Sequence, residues 1–76
     1  MQRVTLNSSL LQAARYQDQL VLLELEFCDG AVYHYFSVPG PTFQELLRAE
    51  SKGGYFNSHI RNRFAYAKIH PATTEK

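Results

Sequence analysis

Three histidines, one cysteine and two alternating glutamates are the side chains of this 76-residue chain suited to metal, nucleophilic or acid–base chemistry. Their spacing speaks against each. His34, His59 and His70 stand 25 and 11 residues apart, and none has a second ligand three or four residues away on an expected helix. Neither a metal nor a cofactor is expected. Cys28 is the only cysteine, which excludes an internal disulfide and a cysteine-based zinc site by counting. A nucleophilic thiol also needs a lowered pKa and a basic partner, and Cys28 instead reads as a small residue at the end of a strand. Glu24 and Glu26 are spaced as an exposed strand face would be, and alternating charge there discourages edge pairing. The stretch "SKGG" lacks the G-x-x-x-x-G-K-[ST] order of a phosphate loop. No catalytic residue is expected, and a small hydrolase using His59 or Cys28 is the weakest of the readings.

One stretch offers different chemistry. "SKGGYFNSHIRNRFAYAKI", residues 51–69, carries four Lys or Arg and no Asp or Glu, with aromatic rings between the charges. Lys52, Arg61, Arg63 and Lys68 suit phosphate neutralisation, Tyr66 suits stacking on an unpaired base, and Asn57 suits donation to a phosphate or base edge. Tyr33, Tyr35 and Tyr55 are secondary aromatic candidates. The plain structural reading of the same stretch makes Phe56, Ile60 and Phe64 a core-facing stripe and the charges a solvated face.

Charge is distributed unevenly around that stretch. The net charge is only +1, but residues 1–16 carry +2, residues 17–50 carry −5 and residues 51–70 carry +4. The length is that of one domain burying about 60% of its extended-chain surface, and a hydrophobic fraction of 45% is ample for a core. The N-terminal stretch has no apolar core of the kind a signal peptide needs, and the run Leu20–Leu23 is too short to cross a bilayer. A cytoplasmic protein with a reduced thiol and no membrane partner is expected.

The elements that must position these residues are a small sheet and two helices. "LVLLELEF" alternates from Val21 onward, placing Val21, Leu23, Leu25 and Phe27 on one face, which is the period of a half-buried strand. Asp29-Gly30 then supplies the turn of a hairpin into "AVYHYFSV". Two registers are open. A two-residue turn sets Leu25 opposite His34 and turns Tyr33 and Tyr35 outward; a three-residue "CDG" loop with Gly30 in a bulge sets Leu25 opposite Tyr33 and Leu23 opposite Tyr35. The bulge is favoured because it lays the phenol rings over the core with their hydroxyls at its edge.

After "PGP", Thr42 and Glu45 form a capping box for a helix starting near Phe43, with Phe43, Leu46 and Leu47 facing the sheet. "SKGG" should stop that helix, and a second should run from about Tyr55 to Asn62. "FAYAKI" reads as a closing extended segment. "SSLLQAARYQ" suits either helix or strand, and pairing with the hairpin favours a strand. The expected fold is α+β: an antiparallel sheet of three strands, or four with a short one, packed against two helices.

Taken in order, "SS" at 8–9, Tyr16 with Asp18, "LELEF" with Gly30, "YHY", "VP" at 38–39 and "AESKGGYFNSHIRNRFAY" resemble the KTSC domain. That short family takes its name from its occurrence at the C-terminus of some lysyl-tRNA synthetases and is also found free-standing. The resemblance covers roughly residues 8–69, and this chain reads as a free-standing member, with one domain over 1–70 and a flexible tail over 71–76. The family has no established activity. Its attachment to a tRNA-handling enzyme implies RNA, including tRNA, as a partner, and its joint pattern of the two tyrosines with the strand's apolar positions also favours the bulged hairpin. The expected function is non-catalytic RNA binding through the basic surface of residues 52–68. The alternative is a protein-interaction or self-association module, and no small-molecule substrate is expected.

Overall fold

The computed structural model describes residues 3–72. Five strands, β1 (Arg3–Thr5), β2 (Leu11–Gln17), β3 (Leu22–Phe27), β4 (Val32–Phe36) and β5 (Tyr66–His70), form one antiparallel sheet in sequence order β1-β2-β3-β4-β5. This exceeds the three or four strands expected from sequence. The added strand is β1, whose three residues pair with Arg15, Ala14 and Ala13 and are too few to show a period of their own. The segment 8–16, open between helix and strand in the sequence, is a strand, and "FAYAKI" supplies β5. Of the tail expected at 71–76, only Pro71 and Ala72 fall within the described residues.

The β3–β4 hairpin takes the bulged form. Leu23 pairs with Tyr35 and Leu25 with Tyr33, the Phe27 amide donates to the Ala31 carbonyl at 2.8 Å and the Gly30 amide to the Phe27 carbonyl at 2.9 Å. Gly30 has φ 95°, in the left-handed region that a side chain disfavours. The Asp29 carboxylate closes the turn by accepting from the Ala31 amide at 3.0 Å. This register directs Leu23, Leu25, Tyr33 and Tyr35 to the face covered by the helices.

Helix α1 spans Gly40–Arg48 and starts three residues before the expected position. The Thr42–Glu45 capping box is not made: Pro39 occupies the N-cap with no side-chain cap bond. Pro41 lies in the first turn, where a missing N–H leaves no helix bond unmade. Glu45 instead accepts from the Tyr55 hydroxyl at 2.7 Å.

"SKGG" likewise begins a helix as well as separating two. Helix α2 runs Lys52–Tyr55 behind Ser51, whose hydroxyl accepts from the Gly54 amide at 3.0 Å. It continues into a π-helical turn, Phe56–Ile60, closed by the Arg61 amide donating to the Phe56 carbonyl at 2.8 Å. The second helical stretch therefore starts earlier than Tyr55 and ends at Ile60.

The core lies between sheet and helices. Leu11, Leu23, Leu25, Val38, Leu46 and Ile60 are fully enclosed, each side chain contributing about 1.5–3 kcal/mol through removal from water. Tyr16 fastens α1 to the sheet: its ring stacks on Phe43 at 5.0 Å and its hydroxyl donates to the Val38 carbonyl at 2.7 Å. On the opposite face Glu24 forms an ion pair with Arg15 at 3.6 Å and lies 2.9 Å from His34 Nε2, while Arg3 reaches diagonally across β2 to Glu26 at 3.2 Å. That face is polar and paired, as the alternating glutamates implied.

Candidate functional site

The helices leave part of the inner face uncovered at β4 and β5. There the sheet, the π-helical turn and the loop after it enclose a groove of about 450 Å³. Its rings come from the register of β4 with β5, where Tyr33 pairs with Lys68 and Tyr35 with Tyr66. Phe27 and Phe56 close the bottom through edge contacts, Phe27 to Tyr33 at 5.4 Å, Phe27 to Phe56 at 5.3 Å and Tyr35 to Phe56 at 5.7 Å. The charged and amide groups at its rim are Arg61, Lys68, Asn57, Asn62 and Asp29.

Three of the chain's five tyrosines line this groove and differ in what they can offer. Tyr35 is buried at 4% exposure and forms the floor. Burial pushes its phenol up to about 12, helped by Tyr33 and Tyr66 and opposed by the nearby positive charge of Arg61. The Tyr33 ring is packed between Tyr35 at 6.1 Å, Tyr66 at 5.7 Å and the Lys68 ammonium 5.8 Å from its centroid, a cation–π contact. Neither ring presents a free face. Tyr66 is the open one: it is 57% exposed while packing against Tyr33 and Tyr35 at 5.7 Å each.

Hydrogen bonding separates the same three residues from the other tyrosines. Tyr16 and Tyr55 donate to Val38 and Glu45, whereas the hydroxyls of Tyr33, Tyr35 and Tyr66 have no hydrogen-bond partner among the described residues. Arg61 is steadied by Asn57, whose Oδ1 accepts from Nη1 at 3.3 Å. Neither Arg61 nor Lys68 is paired with a carboxylate among the described residues. Cations without carboxylates, hydroxyls without acceptors and one open ring together form a surface able to hold a flat, anionic ligand.

The fold therefore brings together Asn57, Arg61, Tyr66 and Lys68 with Tyr33 and Tyr35, and sets the other candidates elsewhere. Lys52 donates to the Ala49 carbonyl at 3.1 Å and lines a separate shallow hollow with Ser8, Ser9 and Glu50. Arg63 is exposed beyond the groove lining. Tyr55 is occupied by Glu45 and by a stack on His59 at 4.4 Å; burial first, then Glu45, pushes its phenol up to about 12. Sequence reasoning missed Asp29 and Asn62. Asn62 has φ 64°, a conformation Asn tolerates better than most residues, and the "RN" of a chain reversal was its one available signal.

The residues weighed for other chemistry are dispersed. His34 lies on the outer face against Glu24, His59 against Tyr55, and His70 Nδ1 is 2.8 Å from the Pro71 carbonyl. The Cys28 thiol donates to the Ser8 carbonyl at 3.3 Å. Among the described residues no three His, Cys, Asp or Glu side chains converge as a metal site, and no helix is long and apolar enough to cross a membrane.

Comparison with known proteins places this architecture. The KTSC domain model matches residues 7–64, so Tyr66 and Lys68 lie just past the matched segment. An uncharacterized protein of Stutzerimonas stutzeri is 46% identical over 70 residues, which is 91% of this chain and 99% of that protein. A lysine–tRNA ligase of a Nostoc species is 41% identical over 61 residues, 80% of this chain, and the match spans 11% of the ligase. A crystal structure of a KTSC domain protein from Yersinia pestis superposes with a TM-score of 0.86 at 32% identity, covering 90% of this chain and 96% of that one. With the five-stranded sheet and two helices in place, the chain belongs to the KTSC domain family.

Proposed function

We propose that this domain is a non-catalytic module that binds single-stranded RNA in the groove between β4, β5 and the π-helical turn. The observation that carries the reading is the shared lining of one groove by an open Tyr66 ring, two cations without carboxylate partners and three phenols without acceptors. An unpaired base stacks on an exposed aromatic face whatever its sequence, and a backbone phosphate meets the cations. The π-helical turn adds support, since such turns are rare and concentrate at functional sites. The occurrence of related segments within lysine–tRNA ligases supports RNA, including tRNA, as the ligand class, and an RNA partner corresponds to a cytoplasmic location.

The test is a titration with mixed-sequence single-stranded RNA at increasing salt. With Arg61 and Lys68 as the phosphate contacts, log affinity falls against log salt with a slope of about −1.4, or about −2.1 if Arg63 joins them. Tyr66→Ala weakens binding about tenfold, the order expected for one lost stacking contact, without altering the far-ultraviolet spectrum. Affinity that is flat with salt and indifferent to Tyr66 refutes the reading.

A second reading, a protein-interaction or self-association module, draws on the outer rim of the sheet, where Leu20, Val21 and Phe36 are exposed. Mass measured across a concentration series distinguishes it: a dimer disrupted by Phe36→Ser, with no RNA binding, favours this alternative.

A further inference from the structure

The groove is electrically lopsided along its length. Asp29 belongs to the β3–β4 loop and bonds the Ala31 amide, which fixes it at the Ala31 end of β4. Arg61 sits at the other end, close enough to Tyr35 for its charge to favour the phenolate. Ala31 and Tyr35 are four residues apart along the chain, a span of about 13 Å at the usual strand rise. The Tyr33–Lys68 pair lies between them and the Tyr35–Tyr66 pair marks the Arg61 end. Asp29 is the one carboxylate among the described groove residues, and it forms no ion pair with Arg61 or Lys68. Within the RNA reading, a lone acid at one end of the groove repels backbone phosphate and favours a donor on the ligand there.

Asp29 has the capacity to do so. Its Oδ1 accepts from the Ala31 amide, and Oδ2 has no partner among the described residues. A carboxylate accepts two parallel donors through its two oxygens. Of the four RNA bases, guanine alone offers two adjacent N–H donors, N1–H and N2–H, on its pairing edge. Adenine and cytosine set an amino group beside a ring acceptor, and uracil flanks its N–H with two carbonyl oxygens that a carboxylate repels.

We infer that the groove is built for a single unpaired guanine nucleotide, with its N–H edge on Asp29, its ring against Tyr66 and its phosphate on Arg61. The volume of about 450 Å³ is in the range of sites for one small ligand. A base still stacked in a duplex presents neither its pairing edge to Asp29 nor its face to Tyr66, so double-stranded RNA is excluded. This inference rests on the RNA reading and adds the identity of the base.

The experiment follows amide shifts of the full chain by NMR during titration with GMP, AMP, CMP, UMP and inorganic phosphate. Two single-stranded RNA octamers are titrated in parallel, one with a single guanine and one with none. GMP binds about tenfold more tightly than UMP, the discrimination of one good bidentate pair, and shifts amides near Gly30 and Arg61 together. Asp29→Asn retains an oxygen for the Ala31 amide and replaces the free oxygen with a donor facing a donor, so the GMP-to-UMP ratio falls to near one. Arg61→Gln weakens all four nucleotides alike and leaves that ratio intact. Equal binding of GMP and UMP, an unchanged ratio in Asp29→Asn, or phosphate binding as tightly as GMP overturns the inference. If both octamers bind equally with the expected salt slope, the guanine assignment fails and RNA binding stands; if neither binds, both fail.

Discussion

Tyr35 shows how one residue can serve both the core and the groove. Its ring packs edge-on against Phe56 and close to Tyr33 and Tyr66, while its hydroxyl lies without an acceptor. Because its phenol is raised from 10.0 to about 12 in the folded protein, the fold keeps this proton over a pH range in which the unfolded chain has lost it. Stability is thus unaffected by this group below about pH 10 and declines between about 10 and 12. Chemical denaturation at a series of alkaline pH values checks this. Tyr35→Phe should flatten part of the decline, with Tyr55, held near the same value, responsible for another part. The sequence discloses the orientation of Tyr33 and Tyr35 only through the loop between the strands: Gly30 tolerates the positive φ that makes the bulge, and the bulge turns both rings inward. It does not disclose that Lys68 covers the Tyr33 ring, since that contact depends on the pairing of β4 with a strand more than thirty residues later.

At the scale of elements, local chemistry was legible where one signal dominated and illegible where two competed. The hairpin followed from alternation plus Asp29-Gly30. The start of α1 did not, because the Thr42–Glu45 capping pattern competes with Pro39-Gly40-Pro41. The helix starts behind Pro39, and Glu45 accepts from Tyr55 across the helix pair in place of the capping bond. "SKGG" misled for a related reason. Two glycines weaken a helix interior, but a side chain at Gly54 would come within 2.9 Å of the Ser51 hydroxyl that caps the turn. Ser51→Ala should therefore cost about 1 kcal/mol, read as a lower denaturation midpoint with an unchanged slope. Because the cap precedes the π-helical turn that carries Asn57 and leads into Arg61, the same variant should also weaken the proposed RNA binding. Unchanged stability would show that the cap contributes nothing to α2. The π-helical turn itself had no sequence signature: Phe56 and Ile60 satisfy an ordinary helical spacing equally well.

For the whole molecule, the uneven charge of the sequence proved a partial guide. The +4 of residues 51–70 resolves into Arg61 and Lys68 at the groove, Arg63 outside it and Lys52 on another surface. Counting charges along a chain cannot tell which side of a fold each occupies, and this is why half the basic candidates did not converge. Position within the sheet matters equally. β3 is central, with Leu23 and Leu25 fully enclosed, whereas β1 and β5 are edges. Amide hydrogen exchange should be slowest in β3 and fastest in β1 and β5, and saturating RNA should slow β5 selectively; uniform protection across the sheet would contradict the assignment of the groove to that edge. The sequential strand order has a practical corollary for experiments on this domain. β1 and β5 are four strand spacings apart, about 19 Å, and Ala72, just beyond β5, is part of the groove lining. An affinity tag or reporter joined directly after Ala72 would emerge beside the groove and compete with its occupant, while one joined directly ahead of Arg3 would lie across the sheet from it. Capture experiments and surface immobilisation should accordingly use the N-terminal side, and a ligand found only with that orientation would itself locate the site.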